Sequence, residues 1–437
     1  MRIAIVGTGK MGKMHARVFS GAGHEVTCFD KHKTAGELAA ELAPLQRVSS
    51  NSSMVASDTL AHAVKDKDVV VLLPPVDAVG EVASGIGSHL SNGTAVISGT
   101  SVMLPAAAEL SAHLSGRDVG VFGMHCLFGP SATDFGSNSI AALNMGGLEP
   151  AAFENVKSLF RSSFVSRTGS AKIVDIESPD KHDSIMADTQ VSTHLGFLSM
   201  GTAWMRAGLF PWESEFYKCG TDHAKAVMML RVLNGERHVY EAIALRNPHA
   251  RKHVLQYVKS VEDLFAMMMS GDRAGFTERM QRTREFLSRS NAAGVARESA
   301  AAFGSIAGAE MAAKSNSHLS LLAMADSWRE MGTDLKDNAM CSTPPFQIRR
   351  FIISLAFGNE LLERNINAAF ESDEIKKHDA IFLESARDWS SAIARKDSEA
   401  YRSLFDKTRA FFSDRLEWGM EESTALIRAF RAGKLRG

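Results

Sequence analysis

Cysteine is scarce in this 437-residue chain: Cys28, Cys126, Cys219 and Cys341 stand far apart, and no two form a CxxC pair. That spacing suggests neither a zinc site nor a disulfide framework, so a reducing compartment is expected. An excess of either charge is also missing. Lys and Arg total 49 against 50 Asp and Glu, giving a formal net charge of -1 and none of the basic field that nucleic acid requires. No apolar run approaches the roughly 20 residues needed to span a bilayer. Met1-Arg2-Ile3 runs directly into a strand pattern, without the charged and apolar regions of a secretory signal. A cytoplasmic protein acting on a small molecule is therefore expected, with neither nucleic acid nor membrane as partner.

With 45% apolar residues over this length, the chain can fill more than one core. Up to about residue 145, short apolar runs alternate with helical stretches, the pattern of a parallel α/β sheet. Candidate strands are Arg2-Val6, Glu25-Phe29, Asp68-Leu73, Thr94-Ser98, Val119-Gly123 and Asn138-Met145. From about Glu149 the pattern turns to amphipathic helices, punctuated only by Pro211, Pro248 and Pro344-Pro345. Thr193-His194-Leu195, leading to Trp204, recurs as Ser317-His318-Leu319, leading to Trp328. The offset is constant, since 318 − 194 and 328 − 204 both equal 124. The expected fold is an α/β Rossmann-type domain over 1–148 followed by an all-α region of two duplicated helical domains. These are copy 1 over 149–290 and copy 2 over 317–437, joined by an Ala/Gly/Ser-rich linker over 291–316.

Gly7-Thr8-Gly9-Lys10-Met11-Gly12 follows the first strand and opens a helical pattern. There the first glycine permits a tight turn, the second lets backbone N–H groups approach a pyrophosphate, and the third lets helix and strand pack closely. Asp30, at the end of the second strand, is placed to accept hydrogen bonds from a ribose. Its carboxylate favours NAD, but Lys31, His32 and Lys33 follow at once and could pair with the 2′-phosphate of NADP, so the residues leave the cofactor open. Pro74 and Pro75, closing the strand that ends at Leu73, would wall the nicotinamide pocket or simply end a strand.

Two further segments carry chemistry. His125 lies just past the Val119-Gly123 strand, at the sheet edge where α/β proteins bind ligands, and can take a proton from a hydroxyl as hydride leaves. Downstream, His182, Met186, Gln190 and His194 follow at fourfold steps and would form one drifting stripe on a continuous helix. Ligands twelve residues apart would be about 18 Å apart along the axis, so the two histidines cannot chelate one ion, and no metal is expected.

GxGxMG, HxxFGP and HDxxMAxxQxxxH, in this order, resemble the prephenate dehydrogenase family, most closely its long fungal form, and the similarity covers most of the chain. Cys341-Ser342-Thr343-Pro344 belongs to it. The resemblance implies oxidative decarboxylation of prephenate to 4-hydroxyphenylpyruvate in tyrosine biosynthesis, with NADP ahead of NAD and no metal. It implies that His125 takes the substrate hydroxyl proton, that Ser101 orients it, and that His182, Gln190, His194 and Arg231 bind substrate, Arg231 at a carboxylate. Gly7, Thr8, Gly9, Lys10, Met11, Gly12, Asp30, Lys31 and Pro74 would hold the cofactor. Three positions depart from the usual pattern: Met103 replaces a lysine, Ser98 an aspartate and Cys126 a proline, although the fungal form departs at the last two as well. Short bacterial members dimerise through their helices, so the duplication here would build that dimer within one chain. A monomer with an internal pseudo-dimer, or a homodimer, is expected. The offset places Ile306 opposite His182 and Leu355 opposite Arg231, so copy 2 is expected to be structural. Arogenate dehydrogenase is the alternative within the class, and a non-catalytic NADP-binding redox regulator the alternative outside it. A β-hydroxyacid dehydrogenase would need a catalytic lysine in a glycine-rich helix, which is not found.

Overall fold

A computed structural model describes residues 1–46, 53–217, 220–289, 315–333, 335 and 343–434. All but the last two residues of the expected linker, together with Cys219, Cys341 and Ser342, lie outside the described residues. The chain forms two units, Met1–Ser184 and Ile185–Gly437.

The first unit is built on one twisted sheet. Its strands are β1 (Arg2–Val6), β2 (Glu25–Phe29), β3 (Ser53–Ala56), β4 (Val69–Leu72), β5 (Ala95–Ser98), β6 (Gly120–Cys126), β7 (Ser139–Gly146) and β10 (Lys172–Asp175), while β8 (Val165–Ser166) and β9 (Gly169–Ser170) form a separate hairpin. The order is β10-β7-β6-β5-β4-β1-β2-β3, parallel throughout except where β7 runs against β6. The interior strands show why: every residue of Val69-Val70-Val71-Leu72 and Ala95-Val96-Ile97-Ser98 is buried, as strands covered by helices on both faces must be. The helices are α1 (Lys10–Gly21), α2 (Ala35–Gln46), α3 (Leu60–Val64), α4 (Val79–Ile86), α5 (Met103–Leu114), α6 (Pro150–Ser163) and α7 (Pro179–Met186).

Two features depart from the sequence reading. β3 is an added edge strand in which only Met54 is buried, so its apolar pattern is too weak to read. The first unit also runs to Ser184 rather than 148, because β10 pairs in parallel with β7 and makes α6 a crossover helix of the sheet. Lys172 and Asp175 expose both ends of β10, which hides the strand in the sequence.

In the second unit α8 (Ser192–Arg206), α9 (Thr221–Leu233), α10 (Arg237–Leu245), α11 (Ala250–Ser270) and α12 (Arg273–Arg289) are followed by a second series. It comprises α13 (Leu319–Met331), α14 (Pro344–Ala356), α15 (Asn359–Glu371), α16 (Asp373–Ala394) and α17 (Ser398–Phe411), after which α18 (Leu416–Lys434) closes the chain. The offset of 124 carries each helix of the first series onto its counterpart in the second. For α11 and α16 the ends agree within one residue, since 394 − 270 = 124 and 373 − 250 = 123.

α8 and α13 are buried over most of their length, as core helices are. Each is held by the long helix of the other copy. Trp389 on α16 gives its indole N–H to Thr202 on α8 at 2.8 Å, and Tyr257 on α11 donates to the Ser320 carbonyl on α13 at 3.2 Å. The Thr202 hydroxyl also meets that of Thr408 on α17 at 2.9 Å. A Cβ on Gly196 would collide with Met324, so α8 and α13 approach at a glycine. The copies interlock as the halves of a twofold interface would.

Candidate active site

The first unit gathers its chemistry past the carboxyl ends of neighbouring strands, where the order reverses between β1 and β4. Gly7 follows β1 at φ +92°, and a Cβ there would stand 2.8 Å from the Leu73 carbonyl carbon and 2.9 Å from the Pro74 nitrogen. Only glycine lets this turn pass beside the end of β4, which sets Pro74 against it. A Cβ on Gly12 would collide with the Gly7 carbonyl, so α1 packs directly on the turn. Around Gly9, at the α1 N-terminus, a Cβ would meet nothing within 4 Å. The first turn of α1 carries no acidic residue, so its N–H groups and dipole face an open cradle without a resident carboxylate. That cradle fits a dinucleotide pyrophosphate.

Asp30 is occupied within the protein. Its Oδ2 accepts from the Thr8 N–H at 2.8 Å and the Thr8 hydroxyl at 2.9 Å, while its Oδ1 accepts from the His32 N–H at 3.1 Å. Burial opposes its charge, but these bonds and Lys33 prevail and hold the carboxyl below its usual value. Thr8 is fully buried, so its side chain locks the turn. Lys10 is exposed and Met11 packs on the core beside the sheet. Lys31 pairs with Glu81 at 2.5 Å and Lys33 with Glu41 at 2.6 Å, both near the surface.

The catalytic candidates form a directed chain. His125, near the end of β6, is buried, and its Nδ1 lies 3.0 Å from His182 Nε2. His182 on α7 is wholly buried, with Nδ1 2.8 Å from Asp183 Oδ1. Asp183 in turn accepts the N–H of Met103 at 2.8 Å and of Leu104 at 2.9 Å, capping the N-terminus of α5. A carboxylate there can only accept, so the Nδ1 of His182 must carry its proton and its Nε2 must accept. His125 then donates from Nδ1, which leaves its Nε2 as the lone-pair nitrogen. Burial, with His182 adding to it, holds the His125 pKa well below the ordinary 6.5, so the ring stays neutral and able to accept a proton. Ser101, half-buried in the β5–α5 turn, makes no hydrogen bond among the described residues. The ring partner of His125 is His182, where the resemblance had given that part to Ser101.

The expected stripe from His182 to His194 is not one helical face. α7 ends at Met186, a π-helical turn spans Ala187–Val191, and α8 starts at Ser192. The wider turn adds a residue and breaks the fourfold rotation, leaving His182 in the first unit and Gln190 and His194 in the second. His194 is half-buried and stacks edge-on against Tyr240, with ring centroids 4.7 Å apart. Burial and the charge of Arg349 push its pKa well down. Arg231 is half-buried, its Nη1 reaching Met420 Sδ, Ser423 Oγ and Thr424 Oγ1 on α18 at 3.2–3.3 Å.

Sequence reasoning missed Asp183 and Arg349. The His-Asp pair of the motif marked the first. Nothing marked the second, because the offset places Lys225 opposite it (349 − 124 = 225).

Residues 191–432 match a family described as the 6-phosphogluconate dehydrogenase C-terminal domain, and residues 2–164 match the NAD binding domain of 6-phosphogluconate dehydrogenase. The chain is 30% identical to the prephenate dehydrogenase (NADP+) of Saccharomyces cerevisiae, over 95% of this chain and 90% of that one. It is 27% identical to a probable prephenate dehydrogenase (NADP+) of Schizosaccharomyces pombe, over 98% and 96%. To a probable arogenate/prephenate dehydrogenase of Methanocaldococcus jannaschii it is 22% identical, over 64% and 60%.

The two glycines of the turn separate packing from binding. Gly12→Ala will destabilise the first unit by about 1–3 kcal/mol, seen as a lower Tm. Gly9→Ala will keep the wild-type Tm but weaken dinucleotide binding in a titration, because its methyl enters only the open cradle. A Gly9→Ala protein that binds dinucleotide normally would remove the pyrophosphate from this position.

Proposed function

Since the chain belongs to the prephenate dehydrogenase family, we propose that it oxidises prephenate to 4-hydroxyphenylpyruvate and CO2 with NADP, using His125 as the base. The observation that carries this reading is the directed chain from Asp183 through His182 to His125. When bound, NADP supplies a nicotinamide ring that accepts the hydride leaving C4 of the substrate. His125 Nε2 takes the hydroxyl proton as that hydride departs, and the C4 oxygen becomes a carbonyl. The bond from C1 to its carboxylate then breaks, CO2 leaves, and the electron pair aromatises the ring. His125 returns its proton to the phenolate oxygen.

The imidazolium formed in between is stabilised through His182 by Asp183, whose charge cannot turn away because two backbone N–H groups hold it. Ser101, with its hydroxyl unengaged, is assigned to the same substrate oxygen. Gln190, His194 and Arg231 are assigned to the rest of the substrate, Arg231 at a carboxylate. Arogenate carries an ammonium where prephenate has a keto oxygen. Among the described residues, no carboxylate pairs with Arg231 or sits on His194 to meet an ammonium, which favours prephenate.

For the cofactor, Gly7, Thr8, Gly9 and Gly12 shape the cradle and Pro74 flanks it, with Lys10 and Met11 on the first turn of α1. Asp30 faces inward to Thr8 and His32, while Lys31 and Lys33 stand beside it with exchangeable surface partners, an arrangement suited to a 2′-phosphate.

Crossing prephenate and arogenate with NADP and NAD, and following nicotinamide absorbance, tests the reading directly. Turnover is expected with prephenate and NADP; none with prephenate and either cofactor would sink it. His125→Asn should lower kcat by roughly 10²–10⁴-fold with cofactor binding unchanged. Because the pKa of His125 is depressed, its base form is complete by pH 6.5, so kcat/KM should fall only as pH drops below that value. An acidic limb centred at pH 7 or above would contradict the assignment. Lys31→Glu combined with Lys33→Glu should raise KM for NADP about tenfold and leave that for NAD nearly unchanged; equal effects on both would move the 2′-phosphate elsewhere.

A further inference from the structure

Two guanidinium groups in the second unit, one buried and one half-buried, have no counter-charge among the described residues. Arg349 lies on α14, in the second helical copy, and is 7% exposed. Its Nη1 donates to the Thr193 hydroxyl at 3.0 Å, its guanidinium carbon lies 5.6 Å from the Phe197 ring centroid, and its buried Nε has no partner. Thr193 is itself fixed, since it donates to the Thr189 carbonyl of the π-turn at 2.7 Å. Arg231 uses one nitrogen on two hydroxyls and a thioether, all neutral. Burial, with the charge of Arg231 beside it, pulls the pKa of Arg349 down to about 10, which still leaves it cationic at neutral pH.

The neighbours cannot supply the missing negative charge. Burial raises the Tyr240 phenol despite the pull of both arginines, so it stays neutral. His194 is neutral as well, and its Nδ1 is buried without a partner. Two cations, an unpaired imidazole nitrogen and an unpaired guanidinium N–H together make a site that lacks one component. Burying such charges without a counter-ion costs several kcal/mol. An anion from outside would offset that cost and accept from the open donors of Arg349.

We propose that Arg349 is a substrate-binding residue, which with Arg231 and His194 receives a carboxylate of the substrate. The anion site is then assembled from both helical copies rather than from the first alone. This rests on the proposed function for the identity of the acid, but not for the existence of the site.

The test is steady-state kinetics of the full chain with prephenate and NADP, alongside thermal unfolding. Arg349→Gln should raise KM for prephenate at least about 30-fold, the lower end for truncating one partner of a buried charge pair. Its kcat should change much less, and KM for NADP should stay at the wild-type value. Arg349→Lys should recover part of the loss. Added guanidinium ion should lower KM for prephenate in Arg349→Ala but not in wild type, a rescue that a purely structural arginine would not show. If Arg349→Gln unfolds, Arg349→Lys carries the test through its KM. A wild-type KM in the folded variant, or a fall in kcat alone, overturns the proposal while leaving the function standing. A wild type inactive on prephenate instead removes the function. The anion site is then tested by protection of wild type, but not Arg349→Gln, against thermal unfolding by 4-hydroxyphenylpropionate, and equal protection of both would overturn it.

Discussion

The hydrogen-bond directions in the catalytic half follow from one group that can only accept. Asp183 is wholly buried and receives two backbone N–H groups from the start of α5, about 80 residues earlier in the chain. It therefore ties α7 to the turn that follows β5 and fixes the tautomer of His182, and through it that of His125. Without that acceptor, either imidazole could present either nitrogen, and the lone pair on the outer histidine would not be set. Helix capping and proton chemistry thus share a single carboxylate.

The charges are divided by chemical role. In the first unit the base is a histidine kept neutral by burial, and its acidic support lies two hydrogen bonds away. In the second unit the fixed positive charge sits on arginines, which burial cannot neutralise at physiological pH even when it lowers their pKa. A proton acceptor needs a pKa it can cross, whereas a grip on an anion needs a charge it keeps.

Much of this was legible where the signal is local. β1 and β2 stand where the alternation placed them, and Gly7, Gly9 and Gly12 have distinct steric jobs that the spacing announced. The duplication was legible from a constant offset because helix lengths were kept along with a few side chains. Other features depend on neighbours that sequence does not display. β3 and β10 are short with little apolar signal, so only their pairing defines them. The π-turn at 187–191 breaks a stripe that looked continuous at fourfold steps. Asp30 matched the expected position but turns toward Thr8, a choice made by the turn's own donors. Arg349 was invisible because its role comes from Thr193, 156 positions earlier.

The reciprocal hold of α16 on α8 and of α11 on α13 also governs how such a chain must come into being. In two separate subunits, the equivalent contacts would form by collision and weaken on dilution. Here the partner is always present at an effective concentration set by the intervening segment, so the pairing persists however few molecules a cell contains. Synthesis is nevertheless vectorial: α8 leaves the ribosome well before Trp389 exists to accompany Thr202, and its apolar faces must wait. Once joined, the two halves also inherit separately, so a substitution in one is no longer copied into the other, and an asymmetric arginine such as Arg349 can arise where the sister position keeps Lys225.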